Sequence, residues 1–258
     1  MAKLKLLPTP WPNDALPPAS ATLLSVASRR GLLAAASPNT LVISSTENVR
    51  NAFKTKIKAG EPDVINDFKP DSTLEVPQLR HVAFSADEEY LVLNPEGQGI
   101  LVVYNVDDLL KGSTKPAEQI TIHNDSVRAL LPNPDPGFAH YMVVIGDSGR
   151  LDIVDITKSN KVTVDTEGKK VTCGAWSVRG RAYVVGFEDG TAAAYKTTET
   201  LLGKIPRPPD VDESYSGRYF TPFLHVKLVT NRHSDQHLLP QQRRFLPHTF
   251  SSGYRRRR

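Results

Sequence analysis

Seven histidines, a lone cysteine and a set of carboxylates in glycine-containing turns are the residues of this sequence best placed to do chemistry. His233 and His237 have the i, i+4 spacing that sets two imidazoles on one face of a helix, and His225 and His248 flank them. Zinc needs three or four converging ligands on an organised scaffold. Nothing in the surrounding residues supplies one, so no metal is expected. His81, His123 and His140 stand apart from any nucleophile or paired carboxylate, and there is no Gly-x-Ser-x-Gly elbow, P-loop or His-Glu-x-x-His. His123 precedes a repeat, where an imidazole reads as a structural hydrogen-bonding group. Cys173 is the sole cysteine, so no internal disulfide or cysteine zinc cluster forms, and it reads as buried rather than reactive. No catalytic residue, no enzyme activity and no cofactor are expected.

The carboxylates are more informative. Asp147, Glu188 and Asp189 sit beside Gly149 and Gly190 between apolar runs. Asp-Gly and Ser-Gly supply the positive φ that a tight hairpin requires. These turns have two open readings: hairpin geometry alone, or partner contact from exposed loops. Asp87, Glu88 and Glu89 form a third acidic turn with the same two readings.

The elements that carry these turns repeat. AWSVRGRAYVVGFEDGTAAAYK begins at Ala175, and related stretches start at Leu23, His81 and Ser126. Each has an apolar strand, a turn, a second apolar strand, a Gly, Asn or Asp turn, and a third strand. Ala83, Ala129 and Ala175 are spaced by 46 residues twice over. A period of about 40–45 residues with three or four short strands is the signature of a propeller blade. Phe84 and Trp176 are placed at the beginnings of inner strands, as core aromatics. NPDPGFAH enlarges the first turn of the third unit, residues 52–73 read as a long charged surface excursion, and residues 107–110 read as one helical turn. The predicted fold is all-β, a WD40-like β-propeller with about four recognisable blades.

Charge divides along the chain. Residues 201–258 hold 11 Lys/Arg and 4 Asp/Glu, a balance of +7, leaving −3 for residues 1–200. A mildly acidic body disfavours direct nucleic-acid binding and favours a basic protein partner. No run approaches the roughly 20 apolar residues that span a bilayer, and no secretory signal is evident, so no membrane association and an intracellular setting are expected. Two domains are expected: residues 1–213 as a partial β-propeller and 214–258 as a disordered basic tail outside the fold. The tail ends in four arginines, which read as an import signal, an RNA-binding end or sequence not selected to fold.

Residues 171–213 resemble a blade of the large nucleoporins of the pore's cytoplasmic filaments, most closely the fungal members. The carriers are Val171, Thr172, Trp176, Ser177 and Gly180, then Gly186, Asp189, Gly190 and Thr191, then the Ile-Pro-Arg-Pro-Pro exit from Ile205. LLSVASRRGLLAAAS is similar to the family's first blade. The resemblance implies a propeller of about seven blades, of which this chain carries part. It also implies a docking protein at the cytoplasmic face of the nuclear pore complex, among other nucleoporins, that binds the DEAD-box helicase of mRNA export. Asp147, Glu188 and Asp189 are the partner-binding candidates, and reversing Glu188 and Asp189 is expected to weaken that binding without loss of stability. The alternative is a generic propeller adaptor in another intracellular complex. The sequence has no Phe-Gly dipeptide, so binding of transport receptors through such repeats is not expected of it.

Overall fold

The computed structural model describes residues 21–58, 68–122 and 125–207. The expected boundary at residue 213, His123, the tail histidines and the terminal arginines lie outside them. Four sheets are present, each a four-stranded antiparallel meander in chain order. The first holds β1 (Leu24–Ala27), β2 (Leu32–Ser37), β3 (Thr40–Ser45) and β4 (Ser72–Glu75). The second holds β5 (Leu79–Phe84), β6 (Tyr90–Pro95), β7 (Ile100–Asn105) and β8 (Glu118–Thr121). The third holds β9 (Val127–Pro132), β10 (Tyr141–Gly146), β11 (Leu151–Asp155) and β12 (Asn160–Thr163). The fourth holds β13 (Val171–Trp176), β14 (Ala182–Phe187), β15 (Ala192–Lys196) and β16 (Leu201–Ile205).

The first strands β1, β5, β9 and β13 adjoin in series, so they are the inner strands of four consecutive blades. Strand alternation splits each middle strand between two interfaces. Leu91 and Leu93 of β6 pack toward the first sheet, and Val92 toward the third. Val143 and Ile145 of β10 pack toward the fourth sheet, and Met142 and Val144 toward the second. A strand covered on both faces has no polar side to show, which is why LVL and MVVI are continuous apolar runs.

Polar pins join the blades where apolar packing gives no register. The buried His81 bonds through Nε2 to the Val127 carbonyl at 3.1 Å, linking β5 to β9. Trp176 donates its indole N–H to the Leu131 carbonyl at 2.9 Å, linking β13 to β9. Asn133, fully buried, donates to the Gly180 carbonyl at 2.8 Å.

Every blade has a fourth strand; β4, β8, β12 and β16 are short, and three of them are largely polar. Beyond the fourth strand, which the expected three or four per unit allowed, three sequence expectations need correction. Residues 52–73 are not one loop: the helix α1 (Thr46–Lys58) runs into this stretch, and β4 begins within it. Phe84 and Trp176 end their strands rather than begin them. Phe84 is buried, as a core aromatic should be, and Trp176 is half-buried against the cluster between the third and fourth sheets. Cys173 is likewise only half-buried, although a free thiol. The helical turn is present as α2 (Val106–Leu110), with Asn105 capping it by accepting from the Asp108 N–H. The enlarged turn of the third blade is a single 3-10 turn, Pro136–Phe138, capped by Asp135.

Candidate functional site

Turns between second and third strands lie at the opposite end of each sheet from turns between first and second strands. That rule sorts the acidic turns. Asp147 joins β10 to β11, and Glu188 and Asp189 join β14 to β15, so these three candidates share one rim of the blades. Asp87, Glu88 and Glu89 join β5 to β6 and occupy the other rim.

A repeated backbone device builds the first rim. The N–H of Glu188 donates to the Lys170 carbonyl at 3.0 Å, just ahead of β13, and the N–H of Asp147 donates to the Ser126 carbonyl at 2.8 Å, just ahead of β9. Glu96, between β6 and β7, donates in the same way to the Gln78 carbonyl at 2.8 Å. Three consecutive blades therefore place a carboxylate at one equivalent position. Glu96 was missed from the sequence; its Pro-Glu-Gly turn falls where the Asp-Ser-Gly and Glu-Asp-Gly turns fall, which was the available signal. Gly149 and Gly190 adopt φ of 86° and 79°, as the hairpins require. A side chain at Gly149 is excluded, because a Cβ there would meet the Lys170 Cβ at 2.5 Å.

The carboxylates differ in their freedom. Asp147 is held by a forked contact from Arg80, at 2.6 and 3.2 Å, and lies 3.7 Å from Arg128. Arg80 is only 13% exposed, so this pair joins the second blade to the third. Asp189 accepts from Lys169 at 2.8 Å and from both the N–H and hydroxyl of Thr191. The Lys169 contact first, and then the Thr191 bonds, hold its pKa down at about 2. Glu188 has only a loose 3.7 Å approach to Lys170, with both side chains about two-thirds exposed (68% and 67%). A surface pair of that kind contributes little, so Glu188 can exchange its lysine for a partner's cation at small cost. Glu188 is therefore freer than Asp147 and Asp189, while Glu96 is half-buried, with one carboxylate oxygen that has no hydrogen-bond partner among the described residues. Asp189 has turn duties, so its reversal is expected to disturb the hairpin as well as any contact.

The other rim is built differently. Glu88 is 7% exposed, sits at φ 64°, and accepts from the backbone N–H groups of Arg29 at 3.0 Å and Arg30 at 2.7 Å. The Arg29 and Arg30 side chains also contact the Ala86 carbonyl and Asp107. Glu88 is therefore a clamp between the first and second blades rather than a free recognition group. Asp87 accepts from Ser85 and from the Glu89 N–H, closing its own turn.

Among the described residues no cluster of three or more His, Cys, Asp or Glu could hold a metal ion. Among the described residues the Nδ1 of His81 has no partner, and desolvation lowers its pKa, so it stands as a neutral residue pinned through Nε2 to Val127. His140 stacks at a tilt on Tyr141. No described helix is long and apolar enough to cross a membrane.

The repeat geometry and the blade motifs agree with the comparisons to known proteins. The NUP159/214 β-propeller family model matches residues 17–234. Nucleoporin NUP159 of Chaetomium thermophilum is 36% identical over 202 residues, covering 76% of this chain and 14% of that protein. Nucleoporin nup146 of Schizosaccharomyces pombe is 26% identical over 200 residues, covering 77% of this chain and 15% of that protein. The chain thus spans about one-seventh of the length of these curated relatives. Among solved structures, the N-terminal domain of Nup159 superposes with a TM-score of 0.56 at 14% identity, covering 78% of this chain and 48% of that one. A structure of S. cerevisiae Dbp5 bound to Nup159 and Gle1 matches with a TM-score of 0.56 at 12% identity, covering 78% of this chain and 49% of the matched chain. Those low identities speak for the fold alone, and the four described blades are an incomplete propeller beside it. With a family match over most of its length and a 36% identical relative, this chain belongs to the NUP159/214 β-propeller family.

Proposed function

We propose that this chain is a docking module of the nuclear pore complex that binds the DEAD-box helicase of mRNA export at the pore's cytoplasmic face. The observation that carries the reading is the repeated carboxylate rim, Glu96, Asp147 and Glu188, on a fold whose solved relative Nup159 is found bound to Dbp5. Rigid blades hold these side chains in fixed register, which suits recognition of a cationic surface on a folded partner. The chain's part is non-enzymatic: it concentrates and orients the helicase. Other nucleoporins are its expected neighbours, and no nucleic acid is expected on the blades.

Titration of the full chain against the purified helicase tests this. Glu188→Lys replaces a weakly paired anion by a cation and is expected to weaken binding about tenfold at low salt, with a smaller loss at high salt. Its melting temperature should match the parent protein. Unchanged affinity across Glu188→Lys and Glu96→Lys would remove this rim from the interface.

A further inference from the structure

We infer that the outer edge of the fourth blade is a peptide-docking site that takes an extended, basic-apolar segment as an added strand on β16. All five residues of β16 are exposed, and three of them are apolar: Leu201 (42%), Leu202 (51%) and Ile205 (47%). One edge of β16 pairs with β15, and among the described residues no strand pairs with the other edge. Natural edge strands are blunted by charge or brevity, because an open edge templates pairing with another chain. The other outer strands follow that rule: β4, β8 and β12 have four residues each and bear Glu75, Glu118 and Lys161. β16 is one residue longer and exposes three apolar side chains where Leu74 of β4 and Ile120 of β8 are buried; its one charge, Lys204, is tied at 2.6 Å to Glu167.

Beside this edge lies a groove of about 340 Å³. Phe187 and Tyr195 are among the residues that line it, with Leu201 and Lys204 on the β16 side and Asp165 and Glu167 on the facing loop. Phe187 and Tyr195 are nearly buried, so an apolar side chain entering here meets aromatic surface already packed. Charge decides the rest of the ligand. Lys169 is committed to Asp189 and Thr191, and Lys204 to Glu167. The Asp165 carboxylate is exposed; among the described residues it accepts from the Glu167 N–H at 2.8 Å and has no ion-pair partner. In an extended peptide, residues i and i+2 face the same side. A segment with an apolar residue and an arginine or lysine two positions apart thus fills the groove and neutralises Asp165, while its backbone pairs with β16. Lys169 and Thr191, which hold Asp189, also line the groove, so it adjoins the carboxylate rim at the fourth blade; the strand addition on β16 stands whether or not the helicase binds that rim.

The test uses the full chain and the labelled peptide Ser-Leu-Thr-Arg-Thr-Leu-Ser, beside its Arg-to-Glu counterpart and a version N-methylated at alternate residues. Binding is read by fluorescence anisotropy, and its position by hydrogen exchange. The arginine peptide should slow exchange across residues 201–205 and bind at least tenfold tighter than the glutamate peptide at low salt. The N-methylated version, unable to complete the ladder, should not bind. Asp165→Asn keeps the turn acceptor without the charge and should abolish the preference for arginine, as should Asp165→Lys. Equal binding of both peptides, protection elsewhere on the chain, or no protection at millimolar peptide would each overturn the proposal.

Discussion

Removing the Glu88 side chain tests how the first two blades are fastened. Its carboxylate receives two backbone N–H bonds, at 3.0 and 2.7 Å, from a turn some 59 residues earlier, and it is almost wholly buried. Bonds to a charged acceptor contribute about 1.5–3 kcal/mol each, and the donors left behind here regain some water because the Arg29–Arg30 turn is partly exposed. Glu88→Ala should therefore cost about 3 kcal/mol. Glu88 also holds φ at 64°, a conformation that costs a residue with a Cβ about 1 kcal/mol and glycine almost nothing. Glu88→Gly loses the same bonds but recovers that strain, so it should be about 1 kcal/mol more stable than Glu88→Ala. Glu88→Gln keeps one acceptor oxygen and should fall between Gly and the parent. Urea denaturation of the four proteins gives the ranking directly. If the alanine variant is as stable as the parent, or the glycine variant less stable than the alanine one, the clamp is wrongly assigned.

The other structural predictions concern the remaining pins. The pKa of His81 is lowered by burial, so the folded state prefers it neutral and the unfolded chain binds the extra proton. Its contribution is complete above the unfolded value of about 6.5 and is lost as pH falls below it; His81→Leu should flatten stability between about pH 5 and 7, measured by thermal melts. Trp176→Phe removes the indole bond to Leu131 and should cost about 1 kcal/mol, with the loss read from denaturation midpoints. Gly180→Ala should be far worse than Gly97→Ala, although both sit at positive φ: a Cβ at Gly180 would lie 1.9 Å from Asn133 Oδ1, whereas Gly97 has open space. A difference of several degrees in melting temperature is expected, and equal melting would contradict the packing described.

The repeat was legible because the middle strands are buried on both faces. That burial imposes unbroken apolar runs such as YLVLNP and YMVVIG, whose spacing survives the loop insertions. The outer strands were not legible, since STLE, EQIT and NKVT have one buried residue at most and so show no alternation. Helix α1 was hidden for a related reason: its covered positions are only half-buried among Arg50, Asn51 and Lys54. Asp147, Glu188 and Asp189 could be found as turn residues from their glycines. Their differing freedom could not, because Arg80 reaches Asp147 across 67 positions and Lys169 reaches Asp189 across 20. The structural role of Glu88 was equally invisible, being set by a turn of the neighbouring blade.

The most direct measurement is the hydrogen-exchange footprint of the DEAD-box helicase on the full chain. The docking account predicts slowed exchange at the turns around Glu96, Asp147 and Glu188, with the turns around Glu88, Asp135 and Gly180 unchanged. Protection confined to that second set, or no protection at helicase concentrations that saturate binding, would contradict it.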